Sequence, residues 1–271
     1  MTWVVGMSSM LGFSIAISDI CVTFDGGSTR DCLQKIYRVG PDIAVGFAGS
    51  VEIGFAMLYR LAQLLKCEAG TDWDPTEVAN WWPADARAMF AQFPQKQKEL
   101  GCDLLMASVH PNLNSGDAPW ARSYLHVFRS PEFEAELAPV QTPVSIGSGS
   151  EVAPFKFALK EIIDDKDNKG FGLLQAEVGM TGGMVTVLGH DLTRLIEEHE
   201  PSGISPHLHL CMVARGGVTI APNDYRFFGS ASSPTKTFTM PTVARSWKEL
   251  QEMLRATGAT ADGCTASMAA R

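Results

Sequence analysis

Three residues near the amino terminus carry side chains that together suit a hydrolytic site. Thr2 follows Met1, and Thr is small enough for ordinary removal of the initiating Met, which frees its α-amine. A free α-amine has a pKa of about 7.7–8.0, so a terminal Thr carries its own base for a weakly nucleophilic hydroxyl. Lys35 would keep that amine neutral by its charge, and Asp19 would hold Lys35 in place. Taken singly, however, Thr2 is typical of a frayed terminus, and the other two of surface charges.

Apolar segments flank these residues and predict the strands that position them. The segments are residues 2–7, 13–17, 34–39 and 43–50, with a turn-rich patch at 25–28. The last segment is rich in Ala and Gly and leads into a predicted helix at residues 51–66. A backbone N–H at its glycines, Gly46 or Gly49, could stabilise an oxyanion, which is worth roughly 2.7–4 kcal/mol per donor.

This order of features resembles the opening of proteasome β subunits and of the peptidase ring of bacterial two-component proteases. In that family an N-terminal Thr starts the first strand, and an acidic residue closes the second. A Lys precedes an apolar-aromatic pair, and an Ala-Gly-rich strand end leads into a long helix. All four features occur here in order, at nearly the family spacing: Thr2, Asp19, Lys35 before Ile36-Tyr37, and residues 43–50.

A second motif of the same family is the sequence Gly-Ser-Gly-Ser at residues 147–150. In proteasome β subunits the first Ser of a similar motif hydrogen-bonds near the terminal amine, which here implies that role for Ser148. Alone, the motif indicates a Gly-rich turn between a strand at 144–146 and a helix that Ser150 would cap. It is not a nucleophile elbow, because the glycines flank Ser148 directly, and no Lys follows to make a phosphate loop.

A third family feature is only partly present. A helix predicted at residues 184–198 is followed by Ser202-Gly203, which matches a Ser-Gly pair that supports the terminal Thr in the family. The Asp that usually ends this helix is absent, and His199 or Glu200 stands in its place. The resemblance therefore leaves the supporting network incomplete.

Neither a metal nor an organic cofactor is predicted. His207 and His209 would face the same side of a strand, but a zinc site needs a further ligand, so both are interpreted as structural. The acidic loop at 164–170 lacks the Glu that ends a calcium-binding loop.

Composition sets further bounds. The chain has 271 residues, 45% hydrophobic and 19% charged, with 22 basic and 30 acidic side chains and a net charge of −8. No basic block is present, so nucleic acid is not an expected partner. The six scattered Cys residues indicate thiols of a reducing compartment. The sequence contains no apolar run of about 18 residues, so no membrane span is predicted. A cytoplasmic protein is expected.

The remaining elements are predicted from their periodicity. Asp74 and Pro75 begin a second helix that Pro83 should kink or end, and Trp81-Trp82 is interpreted as packing. Strands are predicted at residues 104–109, 122–128, 207–213 and 218–221. A capping box at Ser246 to Glu249 opens a short helix in the carboxyl-terminal part.

The predicted helices and strands indicate an α+β fold. The resemblance implies that residues 1–221 form a four-layer α-β-β-α sandwich of two antiparallel sheets, the N-terminal-nucleophile hydrolase architecture. Residues 222–271 form a carboxyl-terminal extension that we expect to contact a neighbouring subunit or line a chamber. The resemblance implies a homo-oligomeric double ring that hydrolyses peptides or unfolded proteins through Thr2, with an ATP-dependent unfoldase as partner. Two alternatives stay open: an amidase acting on small amides, and an inactive ring or scaffold subunit.

Overall fold

The fold is described from a computed structural model of the chain. It describes residues 2–24, 27–66, 73–114, 121–151, 192–193, 196–199, 203–220, 241–256 and 264–265. Within them the protein is a mixed α/β structure in which the paired strands are antiparallel.

The first sheet has five strands, and its centre is built from the amino-terminal hairpin. Its members are β1 (Val4–Ser8), β2 (Phe13–Asp19), β10 (Val144–Ile146), β11 (Leu208–Ala214) and β12 (Gly217–Ile220). They are ordered β10-β1-β2-β11-β12, so β1 and β2 are each paired on both edges. This arrangement places the ends of β1, β2 and β10 side by side.

The second sheet also has five strands, ordered β5-β6-β7-β8-β9. They are β5 (Ile36–Gly40), β6 (Ile43–Gly49), β7 (Cys102–Asn114), β8 (Ala121–Phe128) and β9 (Ala135–Leu137). A smaller three-stranded sheet, ordered β13-β3-β4, joins strands from opposite ends of the chain. Its members are β3 (Cys21–Phe24), β4 (Thr29–Asp31) and β13 (Cys264–Thr265).

The helices are α1 (Val51–Lys66), α2 (Pro75–Gln92), α3 (Gln95–Glu99) and α4 (Trp247–Ala256), with one 3₁₀ turn at Ser148–Glu151. Residues 192–193 and 196–199 are also helical. In α1 the spacing of apolar residues puts Ile53, Met57 and Leu61 on the buried face. None of the helices in the described ranges is long and apolar enough to cross a membrane.

Three apolar cores account for the layering. One lies between the two large sheets and includes Val4 and Ala16 from the first and Leu105 from the second. A second core covers the other face of the second sheet, where α1, α2 and α4 pack. The third covers the other face of the first sheet and includes the helical residues Leu192 and Ile196. Two antiparallel sheets thus pack face to face, with helical residues on both outer sides.

Many predicted elements have the bounds expected from sequence. Helix 51–66 and strand 144–146 match, and the other predicted strands differ by a few residues at their ends. The helix that Ser150 would cap, the acidic loop at 164–170 and most of helix 184–198 lie outside the described residues. Trp82 is fully buried and Trp81 packs edge-on against it, as expected of packing residues.

Two outcomes are predicted at Pro83, an end of the second helix or a kink. The end is wrong, since α2 runs through Pro83 to Gln92, and the kink stays a prediction. Pro83 lacks an N–H, so the carbonyl of Ala79 loses its helical donor. The helix continues because its apolar face is buried on both sides of the proline, with Val78 before it and Phe90 after it. Burial of such side chains, worth roughly 1.5–3 kcal/mol each, offsets a proline cost of about 3 kcal/mol.

Candidate active site

Thr2 lies at the meeting point of the first two strands and the Gly-Ser-Gly-Ser turn. Its backbone nitrogen donates a hydrogen bond to Ser148 Oγ at 3.1 Å. Its carbonyl accepts one from the Gly149 nitrogen, also at 3.1 Å. Thr2 is therefore not a frayed end, since the Ser148 side chain holds its nitrogen and the Gly149 backbone holds its carbonyl.

The Thr2 side chain is fully buried, yet its hydroxyl has no hydrogen-bond partner among the described residues. Leaving a buried hydroxyl unpaired costs about 1–3 kcal/mol. Native proteins pair most such groups, so an exception calls for an explanation. A buried hydroxyl that no described residue engages is available for chemistry.

Asp19 is the hub of the contacts around Thr2. Its Oδ1 accepts a hydrogen bond from the Trp3 nitrogen at 2.8 Å, and its Oδ2 accepts one from the Cys21 nitrogen at 3.0 Å. The β1–β2 register sets this position, because Val4 pairs with Ser18 and the Asp19 nitrogen donates to the Trp3 carbonyl. The residue that closes β2 is thereby fixed beside the residue that follows Thr2.

Lys35 brings a cation to the same oxygen. Its Nζ lies 2.9 Å from Asp19 Oδ1 and 2.6 Å from the Cys21 carbonyl oxygen, and both charged side chains are fully buried. The Trp3 nitrogen and Lys35 Nζ both donate hydrogen bonds to Asp19 Oδ1, so the distance between them is at most the sum of the two hydrogen-bond lengths. The ammonium therefore lies next to the backbone of Thr2 and Trp3.

Burial dominates the electrostatics of this pair. It raises the pKa of the Asp19 carboxyl, while the charge of Lys35 and the N–H groups of Trp3 and Cys21 act in the opposite direction. Removing two charges from water costs several kcal/mol per ion unless geometry and further hydrogen bonds compensate. The presence of this buried pair is therefore only weak evidence that it stabilises the fold.

Gly147 permits the close approach of the turn to Thr2. It has a φ of +87°, and a Cβ atom built on it would lie 2.4 Å from the Thr2 carbonyl oxygen. A side chain here would push the turn away from Thr2. The glycine that precedes Ser148 is thus a steric requirement of the contact between Ser148 and Thr2.

The backbone N–H groups of the two candidate oxyanion glycines, Gly46 and Gly49, point to opposite edges of β6. The Phe47 nitrogen donates to the Lys35 carbonyl at 3.1 Å, and alternate N–H groups of a strand point to the same edge. The Gly49 N–H therefore points towards the Lys35 side, beyond the start of β5, whereas the Gly46 N–H points towards β7, where Gly46 pairs with Leu105. This alternation favours Gly49 over Gly46 as the oxyanion donor.

The residues predicted to support Thr2 from the segment before β11 are described only in part. Gly203 has a φ of +77° in the turn before β11, whereas Ser202 lies outside the described residues. His199 is exposed, and an exposed side chain is poorly placed to support a fully buried Thr2. Support of Thr2 by Ser202 and Gly203 stays a prediction.

A polar cluster beside the site was missed from sequence. Asp31 Oδ2 lies 2.8 Å from His207 Nδ1 and 2.6 Å from Ser205 Oγ, and Asp31 pairs with Cys21 in the small sheet. Burial raises the pKa of Asp31, but the hydrogen bonds from His207 and Ser205 outweigh it and lower that pKa overall. No spacing in the sequence predicts this contact, because residue 31 and residues 205–207 belong to distant segments.

This cluster is not a serine triad. Ser205 Oγ lies 2.9 Å from His207 Nδ1, the same ring nitrogen that contacts Asp31. A relay needs the hydroxyl and the carboxylate on opposite nitrogens. His209 is buried in β11, where it pairs with Ser18. In the described part of the chain, His, Cys, Asp and Glu side chains form no group of three suited to a metal ion.

The structure thus brings together four of the predicted site residues, Thr2, Asp19, Lys35 and Ser148. Comparison of the chain with models of known protein families gave no match. Comparison with curated proteins gave no match either. The candidate site therefore has to be interpreted from its own geometry and chemistry.

Proposed function

We propose that the chain is an N-terminal threonine peptidase of the proteasome-like N-terminal-nucleophile type, active after removal of Met1. The observation that carries the proposal is a buried Thr2 hydroxyl with no partner among the described residues, together with a buried Asp19–Lys35 pair that binds the amide of the next residue, Trp3. The layered pair of antiparallel sheets supports it, because that architecture is the one the resemblance implies. No metal or organic cofactor enters the proposed chemistry.

The mechanism begins at the freed α-amine. The amine of Thr2 takes the proton of the Thr2 hydroxyl, and Oγ attacks the carbonyl carbon of a peptide bond. The tetrahedral oxyanion accepts a hydrogen bond from the Gly49 N–H. The intermediate collapses to an ester on Thr2 as the amine passes its proton to the leaving nitrogen. Water then attacks the ester with the amine as base, which releases the acid and restores Thr2.

The supporting residues have separate roles. Lys35 provides a fixed positive charge, which keeps the neighbouring amine neutral and favours the alkoxide. Asp19 holds the Lys35 ammonium and the Trp3 amide on one oxygen, so the charge stays in register with Thr2. Ser148 contacts the Thr2 nitrogen, which becomes the α-amine once Met1 is removed. The contacts of Asp19 with Lys35 and Trp3, and of Ser148 with Thr2, support these roles.

Substrate and assembly complete the proposal. The substrate is a peptide or an unfolded protein segment, and activity is confined to a homo-oligomeric double ring with Thr2 towards the inside. An ATP-dependent unfoldase is the matching partner for such a compartment. We expect α1 to contact a neighbouring subunit, because it exposes a large aromatic side chain, Tyr59, which is 67% exposed.

Peptide hydrolysis by matched variants tests the function. The unmodified chain, Thr2→Ser and Thr2→Ala are assayed against a mixture of unfolded polypeptides, with new amino termini counted by mass spectrometry. We expect cleavage by the unmodified chain, reduced cleavage by Thr2→Ser, which keeps a hydroxyl, and none by Thr2→Ala. Undiminished cleavage by Thr2→Ala would show that another residue is the nucleophile. Hydrolysis of small amides without peptide cleavage would favour the amidase alternative. The absence of any hydrolysis would favour an inactive ring or scaffold subunit.

A further inference from the structure

The carboxyl-terminal extension contacts both backbone stretches that hold the Asp19–Lys35 pair. Ala244 forms a parallel bridge with Leu33, two residues before Lys35. The Gln34 nitrogen donates to the Ala244 carbonyl at 3.0 Å, and the Ala244 nitrogen donates to the Cys32 carbonyl at 2.7 Å. The extension is therefore attached directly to the segment that carries the catalytic cation.

The second contact is made by β13, which pairs with β3. Cys264 lies opposite Phe24 and Thr265 opposite Thr23, on the edge of β3 that faces away from β4. The strand β3 begins at Cys21, whose carbonyl binds Lys35 Nζ and whose nitrogen binds Asp19. The pairing thus starts about 7 Å along the strand from these contacts, at roughly 3.4 Å per residue.

The direction of β13 matters. Because it is antiparallel to β3, it runs from the Phe24 end towards the Cys21 end, and so towards the Asp19–Lys35 pair. An extended peptide laid on the same edge in the same direction would have its amino-terminal part bound on β3. Its next residues would extend towards the Asp19–Lys35 pair, which binds the amide of Trp3, the residue after Thr2. Strand addition of this kind uses main-chain hydrogen bonds and accepts many side chains.

We infer that β13 is an intramolecular occupant of the β3 edge, where an extended peptide must displace it before the chain can act on that peptide. This inference rests on the proposed function. Two paired residues make a weak contact, but a tethered strand acts at an effective concentration on the order of millimolar. The extension thereby keeps the edge covered at rest and releases it to a peptide that pairs over a longer stretch.

A reversible covalent lock tests the inference. Phe24→Cys places a thiol opposite the native Cys264, and Cα atoms of opposed antiparallel residues lie about 4.5–5.5 Å apart, within the range for a disulfide. The nearby native thiols compete poorly, since burial raises the pKa of Cys21 to about 12 and that of Cys32 to about 11. The double variant Phe24→Cys, Cys264→Ser is the matched control for loss of Phe24.

The readout is the rate at which a peptide with a threonine-directed warhead labels Thr2. We expect oxidised Phe24→Cys to lose most of its labelling and reductant to restore it, while the control is labelled equally in both conditions. The inference alone is overturned if the 24–264 disulfide does not form. It is also overturned if the disulfide-locked protein is labelled as fast as the same variant after treatment with reductant. No labelling of the unmodified chain overturns the proposed function together with it.

A second variant keeps the inference falsifiable if Phe24→Cys does not fold. Thr265→Pro removes a backbone N–H and disfavours the strand pairing of β13. We expect several-fold faster labelling of Thr2 at low probe concentration, and a smaller difference as the probe saturates the edge. Unchanged or slower labelling at low probe concentration contradicts the inference.

Discussion

Lys35 Nζ and Asp19 Oδ1 lie 2.9 Å apart, with both side chains fully buried. The same carboxylate oxygen accepts the amide of Trp3, the neighbour of Thr2. This relationship joins the charge of the site to the position of the proposed nucleophile. It also means that changes at either residue affect both stability and chemistry.

The first prediction concerns Lys35. Lys35→Ala leaves the Asp19 carboxylate buried and unpaired, which costs about 3–5 kcal/mol of unfolding free energy and lowers the labelling rate of Thr2 by several orders of magnitude. Lys35→Arg should fail as well, because a planar guanidinium does not replace a compact ammonium in a closed site. Urea unfolding and labelling kinetics measure the two effects. Lys248→Ala, at a side chain 86% exposed, is the control; a Lys35 variant that behaves like it contradicts the assignment.

The second prediction concerns Ser148. Ser148→Ala removes the partner of the Thr2 nitrogen at a stability cost of about 0.5–1.5 kcal/mol, and it should slow labelling of Thr2 at least tenfold, by about 1.4 kcal/mol in the barrier. Ser150→Ala is the control, because its hydroxyl donates to the Gly147 carbonyl instead. Equal labelling rates in the two variants, at matched stability, would remove Ser148 from the site.

The third prediction separates steric closeness from backbone strain at two glycines. Gly147→Ala loses unfolding free energy for two reasons, its positive φ and a Cβ placed 2.4 Å from the Thr2 carbonyl oxygen. Gly216→Ala has a φ of +104° but no atom within 4 Å of its Cβ. It therefore loses only the cost of the left-handed conformation, about 1–2 kcal/mol. We expect a larger loss of unfolding free energy, and loss of labelling, only at Gly147. Equal losses at both positions would contradict close packing of the turn on Thr2.

The fourth prediction concerns pH. Burial lowers the pKa of His126 to about 4, below its ordinary 6.5, and the ring stacks between Tyr124 and Phe128. The unfolded chain therefore binds a proton at His126 before the folded chain does. Its stabilising contribution is complete above pH 6.5 and is lost as the pH falls towards 4, by about 2 kcal/mol at pH 5.

Urea unfolding of the protein and of His126→Phe at pH 7.5 and pH 5 measures this effect. The variant should lose about 2 kcal/mol less than the unmodified chain between the two values. Because the ring already stacks with two aromatic side chains, Phe is a conservative replacement. An equal pH dependence in both proteins would mean that His126 is not held neutral by burial.

The fifth prediction concerns assembly. Tyr59→Glu on α1 should shift the protein from ring-sized particles to smaller species in light scattering, and labelling of Thr2 should fall with the ring. Gln95→Glu places the same charge on an exposed side chain of α3 and should leave the ring intact. A monomeric unmodified chain with full peptidase activity would overturn the ring proposal.

The central part of the fold follows from local signals in the sequence. Helix α1 matches residues 51–66 because its apolar spacing is set by one buried face. The strands near Thr2 are apolar segments bounded by turns, and their order along the chain suffices to place Asp19 beside Lys35 once a family pattern is known. Local periodicity and a resemblance therefore carried these predictions.

Other features depend on contacts between distant segments. Asp31 meets His207 and Ser205 only because β4 and the turn before β11 come together in space. The attachment of Ala244 to Leu33 likewise has no periodic signal, and the described part of the extension packs on its own chain. In α2, tertiary packing on both sides of Pro83 overrides the local tendency of proline to end a helix.

The most direct test of the central claim is mass spectrometry of the purified protein before and after reaction with a threonine-directed peptide inhibitor. The account predicts an intact mass that lacks Met1, one inhibitor per chain after reaction, and an adduct that peptide mapping places on Thr2. Thr2→Ala should take up none. Retention of Met1 in a fully active protein, or an adduct on any other residue, would contradict it.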